Sequence, residues 1–259
     1  MREFIYGRNA VLEVLRAKRR VCKRLFLAAG VQETKNLSEV LKIAEKANLP
    51  IERIDRRILD KQLQGVNHQG IALETSQYPY VSLEECWEKA QGRAEPAFLL
   101  LLDHIQDPQN VATLLRTAEV VGVDGVILPR QRAAEITPAV VNASSGATEH
   151  LQIAQVANIA QTIQTLQEAG IWVVGVEDDA RAKPFDEVDL NLPLALVVGA
   201  EGPGLARLTR ERVDFLVRLP MQGQLASLNA AVAGSIILYT AWRQRKPLQT
   251  VIISNPSQL

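Results

Sequence analysis

The sequence predicts an α/β protein with a small N-terminal unit and a larger C-terminal unit built on a mostly parallel sheet. Three observations lead to this prediction. Residues 98–246 alternate continuous apolar runs with helical patterns, which is typical of strands buried between two layers of helices. Residues 1–75 alternate in the same way over a shorter length. Residues 76–97, which include Pro79 and end in a breaker-rich stretch, separate the two units and are interpreted as a linker.

The N-terminal 75 residues contain two helical patterns. The first covers residues 9–20, and the second covers residues 37–47 and stops before Pro50. Short apolar runs predict strands at 21–28, 51–54 and 71–73. A polar loop with two glycines, at 65–70, precedes the last of these strands.

The C-terminal unit begins with the apolar run at 98–102, which is typical of a strand buried on both faces. Further apolar runs predict strands at 125–128, 151–156, 171–176, 194–198 and 215–219. Helical patterns predict helices at 83–90 in the linker and at 111–121, 139–147, 159–169 and 225–245. The tail at 247–259 is expected to be poorly ordered.

Composition predicts a soluble, cytoplasmic protein with no membrane partner. Cys22 and Cys86 are too few and too far apart for a disulfide framework or a thiolate metal site, which fits a reducing compartment. The N-terminus lacks an apolar signal segment, and no apolar run is long enough to span a bilayer.

Charge is unevenly distributed along the chain, although the net charge is zero. Residues 1–75 carry 15 Lys and Arg against 9 Asp and Glu, a net charge of +6, and the remaining residues carry 14 against 20, a net charge of −6. The densest basic run is 16–20, followed by Lys23 and Arg24. Two interpretations stand side by side: a surface that meets a polyanion, or a solvated helix end where cations favour the dipole.

Unusual residues follow three of the predicted strands, at the edge of the sheet where ligands of parallel α/β proteins bind. After 98–102, Asp107-Pro108 and Asn110 form a turn that opens a helix carrying Arg116. A planar guanidinium suits a phosphate group. Helix capping is the alternative for the turn residues, and a solvated surface position is the alternative for the arginine.

A glycine loop, 199–205, follows the strand at 194–198. It allows a close approach of the backbone, but its order and its late position differ from a dinucleotide-binding fingerprint. Glu201 in this loop is interpreted either as a ligand contact or as an acid near a helix N-terminus.

The third loop, 219–229, is the most informative segment of the chain. The strand at 215–219 ends at a Pro-Met turn, a glycine loop follows, and Ser227-Leu228-Asn229 opens a helix of small residues. Such a loop suits a compact ligand held mainly by main chain, or it is simply a capped strand–helix corner. The histidines are too scattered to predict a metal site: His68, His104 and His150.

Together the three loops resemble the motifs of the SpoU-type (TrmH-like) branch of the SPOUT RNA methyltransferases, closest to the 23S ribosomal RNA guanosine-2′-O-methyltransferases. The first motif matches at Asp107-Pro108-x-Asn110, Arg116-Thr117-Ala118 and Gly122. The second matches at Val197-Val198-Gly199-x-Glu201-x-x-Gly204-Leu205. The third matches at Leu219-Pro220-Met221-x-Gly223-x-x-x-Ser227-Leu228-Asn229 and Val232-Ala233. The N-terminal unit resembles the family's RNA-binding domain at Tyr6-Gly7-Arg8-Asn9-Ala10-Val11 and Asn67-His68-Gln69-Gly70-Ile71.

The resemblance implies an RNA substrate-binding domain at 1–75, a linker at 76–97, a methyltransferase domain with a deep trefoil knot at 98–246, and a tail at 247–259. It also implies S-adenosylmethionine as cofactor, an obligate homodimer with sites at the interface, and RNA rather than DNA as partner. Ribosomal RNA is the favoured substrate and transfer RNA the second. Two departures from the family pattern keep small residues: Ala112, where glycine is frequent, and Ala230-Ala231, where Val-Ser is frequent.

The resemblance also assigns roles to residues. The implied catalytic set is Asn110, Arg116, Glu201, Ser227 and Asn229. The implied cofactor-binding set is Gly199, Glu201, Leu219, Met221, Ser227 and Leu228. The implied RNA-binding set is Arg8, Arg19, Arg20, Lys23 and His68, and no metal is implied. Two other functions are weighed against this one: a nucleotide-dependent enzyme of ordinary doubly wound topology, and a non-catalytic RNA-binding protein on the same fold.

Overall fold

Two separate β-sheets, each covered by helices, make up the protein. The computed structural model describes residues 2–88, 90, 95–224 and 227–245. Within these residues one sheet has four strands and the other has seven. The predicted tail at 247–259 and the predicted start of the last helix at Leu225 lie outside the described residues.

The N-terminal unit carries the four-stranded sheet, with the strand order β1-β4-β2-β3. Its elements are β1 (Arg2–Tyr6), α1 (Arg8–Ala17), β2 (Cys22–Ala28), α2 (Lys35–Lys46), β3 (Ile51–Ile54), α3 (Arg56–Gln62) and β4 (Ile71–Ser76). Strand β4 pairs antiparallel with both β1 and β2, and β2 pairs parallel with β3. Strand β1 and helix α3 were not predicted, because neither has a periodic apolar pattern. Each buries a single side chain completely, Ile5 in β1 and Leu59 in α3.

The C-terminal unit carries the seven-stranded sheet, and every neighbouring pair of its strands is parallel, as predicted. Its first elements are α4 (Glu85–Glu88), β5 (Phe98–Asp103), α5 (Pro108–Val120), β6 (Gly125–Pro129), α6 (Pro138–Ala143), β7 (Gln152–Val156) and α7 (Ile159–Glu168). The remaining elements are β8 (Trp172–Val176), β9 (Lys183–Pro184), β10 (Leu194–Gly199), α8 (Arg207–Arg212), β11 (Phe215–Arg218) and α9 (Ala230–Arg245). The strand order is β7-β6-β5-β10-β8-β11-β9.

Strand β5 lies inside the sheet, and all six of its residues are buried. Leu100 and Leu102 belong to the core that includes residues of α5 and α9, whereas Leu99 and Leu101 belong to the core that includes residues of α7. Helices therefore cover both faces of this sheet, which explains why β5 is apolar at every position before Asp103.

Chain segments pass one another without room for side chains near the end of β10. A Cβ atom added at Gly199 would lie 2.3 Å from the carbonyl carbon of Gly204. A Cβ atom added at Gly234, in α9, would lie 2.7 Å from a methyl of Leu114 and 2.8 Å from a methyl of Val198. Helix α9 therefore packs directly on β10 and α5, and glycine is required at these two crossings.

A buried ion pair joins the N-terminal unit to the C-terminal unit. The side chains of Arg20 and Glu149 are both fully buried, with the Nη2 atom 2.9 Å from Oε1, and Nη1 of Arg20 also reaches Glu3 Oε2 at 2.7 Å. Burial alone lowers the pKa of the Arg20 guanidinium, but its hydrogen bonds to Glu149 and Glu3 outweigh burial, and the net shift is upward. Its side chain has no solvent-accessible surface, so the predicted RNA contact of Arg20 would require this ion pair to open.

Arg19 takes part in the same junction. Its guanidinium donates to the carbonyl oxygen of Leu151 and to the Oε1 atom of Gln152, both at the start of β7. It also lies over the ring of Tyr78, whose hydroxyl donates to the Thr148 carbonyl oxygen at 2.9 Å. Arg19 is only partly buried, but these bonds hold its guanidinium at the junction, and its contact with RNA stays a prediction.

His68 is also a structural residue. Its side chain is 1% exposed, Nε2 lies 2.7 Å from Asp60 Oδ1, and Nδ1 accepts the amide of Gly70 at 3.0 Å. Because Nδ1 accepts a hydrogen bond, Nε2 carries the proton that is donated to Asp60. Both ring nitrogens hold the 65–70 loop together, so the predicted RNA contact of His68 would have to displace one of these bonds.

No helix among the described residues is long and apolar enough to cross a membrane.

Candidate active site

A cavity of about 400 Å³ opens at the carboxyl ends of β8, β10 and β11. These strands are parallel neighbours, so the loops that leave them lie side by side. Residues 199–204 form one wall, and the segment from Leu219 to the start of α9 forms another. Cofactor sites in proteins span roughly 300–1,000 Å³, so the cavity is large enough for one.

Three polar residues from the three sequence motifs meet beside this cavity. Asn110 Nδ2 donates to Glu201 Oε2 at 3.2 Å. Asn229 Nδ2 donates to Asn110 Oδ1 at 2.9 Å and lies 3.1 Å from Glu201 Oε1. We call these residues the amide–carboxylate cluster. Each oxygen of a carboxylate can accept two hydrogen bonds, so Glu201 keeps acceptor capacity for a ligand hydroxyl.

Helix capping accounts for Asp107 but not for Asn110. Asp107 accepts the amides of Gln109 and Asn110 at 3.2 and 3.3 Å and so caps α5. The Asn110 side chain instead points across to Glu201. Asn229 both caps a helix and joins the cluster. Its Oδ1 atom accepts hydrogen bonds from the backbone amides of Ala231 and Val232, while its side-chain NH2 group donates to Asn110 and Glu201. The start of α9 thus fixes the position of this cluster.

The cavity wall contains all six residues of the predicted cofactor-binding set: Gly199, Glu201, Leu219, Met221, Ser227 and Leu228. The character of the wall fits an adenosyl group. At Gly199 the wall is main chain, since the neighbouring segment leaves no space for a side chain. Met221 and Leu228 are 37% and 45% exposed and present apolar surface that suits the face of an aromatic base.

Arg116 is not part of this cluster within one chain. It lies on the exposed side of α5, where its Nη1 atom is 3.4 Å from Ser145 Oγ. It lines a second cleft of about 480 Å³, whose wall also includes Glu13 and His150. The predicted catalytic residues therefore lie in two places. The amide–carboxylate cluster and Ser227 lie at the cavity, whereas Arg116 lies on a different surface.

The three histidines each contact a separate carboxylate. His68, His104 and His150 lie beside Asp60, Asp103 and Glu13 respectively. No group of three or more His, Cys, Asp or Glu residues in the described part of the chain is arranged to hold a metal ion.

Two family models match the chain. The SpoU rRNA Methylase family matches residues 97–239, and the family described as RNA 2′-O ribose methyltransferase substrate binding matches residues 4–81. A putative TrmH family tRNA/rRNA methyltransferase, YacO of Bacillus subtilis, is 39% identical over 246 residues, which cover 95% of this chain and 97% of the relative. The chain belongs to the SpoU rRNA methylase family.

Two further comparisons agree with this family. The 23S rRNA (guanosine-2′-O-)-methyltransferase RlmB of Pseudomonas putida is 38% identical over 247 residues, which cover 94% of this chain and 97% of the relative. The crystal structure of the SpoU methyltransferase AviRb of Streptomyces viridochromogenes, in complex with AdoMet, has the same fold with a TM-score of 0.77. It is 23% identical, and the match covers 94% of this chain and 90% of that one. As a SpoU-family member the chain is an RNA 2′-O-methyltransferase.

The two departures from the SpoU pattern lie in the core that α5 and α9 share, except for Ala230, which lines the cavity. Ala112 and Ala231 are each 1% exposed and belong to the apolar core that α5 and α9 share. The hydroxyl that Ala231 lacks would therefore sit in an apolar environment, where an unpaired hydroxyl costs free energy. This accounts for alanine at position 231.

Lys23 and Arg8, two members of the predicted RNA-binding set, lie at the surface of the SpoU substrate-binding region. Lys23 is exposed, and the partly buried Arg8 lines a cleft of about 400 Å³ together with Arg56. Arg8 donates to Gln32 and Gln69 carbonyl oxygens and so ties two loops of this cleft together. Arg56 was not predicted as an RNA contact, because helix α3 was not predicted. The cluster of basic residues Arg53, Arg56 and Arg57 was the feature of the sequence that could have indicated it.

Proposed function

We propose that this protein transfers the methyl group of S-adenosylmethionine to a ribose 2′-hydroxyl of large-subunit ribosomal RNA. The amide–carboxylate cluster carries this proposal, because it lies beside a cavity whose wall holds all six residues of the predicted cofactor-binding set. The Pseudomonas putida relative, named as a 23S rRNA guanosine methyltransferase, supports 23S rRNA as the substrate and guanosine as the nucleotide. Transfer RNA is the second candidate, because the Bacillus subtilis relative is named for both kinds of RNA.

S-adenosylmethionine supplies a methyl group that is already activated on a sulfonium, so the protein mainly orients the acceptor and assists the loss of its proton. Asn110, Glu201 and Asn229 would receive the ribose, since their hydrogen bonds to one another fix them before the substrate arrives. Ser227, on the cavity wall, would support the cofactor and the ribose.

Arg116 would act through its charge. A guanidinium has a pKa above about 12 and is a poor proton acceptor. It is well suited to grip the phosphate next to the target ribose and to stabilise the developing alkoxide. Its exposed position on α5 leaves the guanidinium free to meet RNA.

A second copy of the chain would bring Arg116 to the cavity. Val232, Ile236 and Tyr239 form an apolar stripe on α9 and are 40–51% exposed. Val120 on α5 is 66% exposed and lies one turn beyond Arg116. The Thr117 and Ser235 hydroxyls, 2.9 Å apart, hold the two helices together as one surface. Covering this surface with its own copy would bury the stripe and place the arginine at the interface.

The finer assignments follow from the same proposal. We assign substrate binding to residues 1–75, a linking role to 76–97 and methyl transfer to 98–246. The tight crossing of α9 over β10 would belong to a deep trefoil knot. The compartment would be the cytoplasm, where free cysteines such as Cys22 and Cys86 stay reduced.

The substrate assignment is tested with labelled S-adenosylmethionine and three purified RNAs from cells that lack the gene: 23S rRNA, 16S rRNA and bulk tRNA. We expect label in 23S rRNA, and little in the other two. Label confined to tRNA would show that transfer RNA, and not 23S rRNA, is the substrate. Cofactor binding without methylation of any of the three would support a non-catalytic RNA-binding protein instead.

A further inference from the structure

Asp178 and Arg218 are charged residues on the wall of the 400 Å³ cavity. They contrast with Met221 and Leu228, which are apolar residues of the same wall. Strands β8 and β11 are neighbours, with Val176 paired to Val217, so the residues that follow these positions emerge at the same edge of the sheet. The Arg218 Nη1 atom lies 3.8 Å from Asp178 Oδ1. The two charges therefore form an ion pair, but their separation is beyond hydrogen-bond distance.

Both side chains keep unused hydrogen-bonding capacity. Within the described part of the chain, the buried Nε atom of Arg218 has no hydrogen-bond partner. Side-chain exposure of 43% for Arg218 and 51% for Asp178 leaves their outer atoms open to a ligand. A buried donor without a partner costs free energy, which makes this atom notable in a cavity wall.

The neighbouring charged side chains, in contrast, form hydrogen-bonded ion pairs. Arg210 Nε donates to Glu177 Oε2 at 2.8 Å, and its Nη2 atom donates to the other oxygen of the same carboxylate. Arg181 reaches both oxygens of Asp179, at 3.0 and 3.2 Å. Asp178 and Arg218 therefore differ from these neighbouring pairs, because both line the cavity and their 3.8 Å contact is not a hydrogen bond.

We propose that Asp178 and Arg218 form a zwitterion subsite that binds the α-amino-acid end of the cofactor. This inference rests on the proposed function, in which the same cavity holds S-adenosylmethionine. The α-ammonium group would donate to Asp178, and the α-carboxylate would accept from the outer guanidinium nitrogens of Arg218. Charge-assisted hydrogen bonds of this kind are the strong ones, and a guanidinium matches a carboxylate in geometry.

The subsite divides the cavity into two halves with different chemistry. Main chain at Gly199 and the apolar side chains of Met221 and Leu228 would hold the adenosine half. Asp178 and Arg218 would hold the amino-acid half. The methyl-bearing sulfur lies between these two ends of the cofactor, so fixing both ends fixes the direction of the methyl group.

Two ligands separate the halves in a calorimetric binding experiment on the whole protein. S-adenosylhomocysteine carries both the adenosine and the amino-acid end, whereas 5′-methylthioadenosine carries the adenosine without the amino acid. The test variants are Asp178→Asn, which keeps the shape, and Arg218→Met, which keeps the aliphatic stem. The control is Arg181→Met, which removes a cation from the adjacent pair with Asp179.

We expect each test variant to bind S-adenosylhomocysteine about 10-fold or more weakly, because a hydrogen bond to a charged group contributes about 1.5–3 kcal/mol. Affinity for 5′-methylthioadenosine should stay within about twofold, and Arg181→Met should bind both ligands like the wild type. Unchanged binding of S-adenosylhomocysteine, or an equal loss for both ligands, would overturn the subsite. If the wild-type protein bound neither ligand, the proposed function itself would fail.

Discussion

The Arg116→Ala variant is expected to lower kcat for methyl transfer by about 10²–10³-fold, the usual effect of removing one preorganised group that stabilises transition-state charge. Cofactor affinity should stay at the wild-type level, because Arg116 lies outside the wall of the 400 Å³ cavity. The measurements are single-turnover methylation of 23S rRNA and calorimetric binding of S-adenosylhomocysteine. A suitable control is Arg207→Ala, which removes a 74% exposed arginine elsewhere on the C-terminal unit.

Activity near the wild-type level in Arg116→Ala would exclude the catalytic role. A loss of activity with a parallel loss of cofactor affinity would instead indicate damage to the cavity. Arg116→Lys is informative as well, because a lysine keeps the charge but not the planar fork that matches a phosphate. We expect it to restore only part of the rate.

A mixing experiment tests whether Arg116 acts from a second copy. Arg116→Ala and Glu201→Gln are each expected to be inactive alone. In a mixed dimer, one of the two sites would combine an intact Arg116 with an intact Glu201. An equal mixture would then recover roughly a quarter of the wild-type activity, because half of the dimers are mixed and each has one intact site. No recovery after subunit exchange would place Arg116 at the site of its own chain, or at none.

The second large effect is expected for Glu149→Ala, which should lower the free energy of unfolding by about 3–5 kcal/mol. The substitution leaves the Arg20 cation buried, with only the contact to Glu3 to compensate its charge. The mutant also loses a contact that joins the segment after α1 to the 3-10 helix Ala147–His150, and so weakens the junction between the two units. Urea unfolding followed by circular dichroism measures the change.

Glu52→Ala serves as the matched control for Glu149→Ala. It removes a carboxylate from the pair with Arg24, in which both side chains are about half exposed, at 44% and 50%. An exposed ion pair contributes about 0–1 kcal/mol, so this variant should unfold almost like the wild type. Equal, small losses for the two variants would show that the buried pair does not hold the units together.

Strong periodic patterns predicted most of the fold. Strand β5 was predicted from an uninterrupted apolar run because it is buried on both faces. Helix α8 and the two-residue strand β9 were missed, because α8 buries only Thr209 completely and β9 is too short to show a period. Periodicity reports burial, so elements that bury little leave no pattern in the sequence.

The candidate site was predicted where the residues are close to strand ends. Asn110, Glu201 and Asn229 each follow a strand of one parallel sheet, and the sheet itself brings them together. Arg116 was grouped with them by motif, but six residues of helix carry it away from Asn110 to another surface. A motif gives the order of residues along the chain and not the side of the helix that each one faces.

Charge density along the chain does not separate surface cations from cations that pair inside the protein. Arg19 and Arg20 belong to the densest basic run, yet their partners Leu151 and Glu149 lie about 130 residues away in sequence. Such long-range pairing cannot be read from local composition, since a buried cation and a surface cation look the same in the sequence. The basic surface at Arg56 was overlooked for the complementary reason, because its helix has no apolar period.

The position of the transferred methyl group tests the central claim most directly. Methylated 23S rRNA is digested to nucleosides after reaction with the purified protein, and the products are separated and weighed by mass spectrometry. The proposed site predicts one 2′-O-methylated nucleoside, with the mass increase on the ribose, and guanosine is the expected base. A mass increase on a base, or no methylated nucleoside from a protein that binds the cofactor, would contradict it.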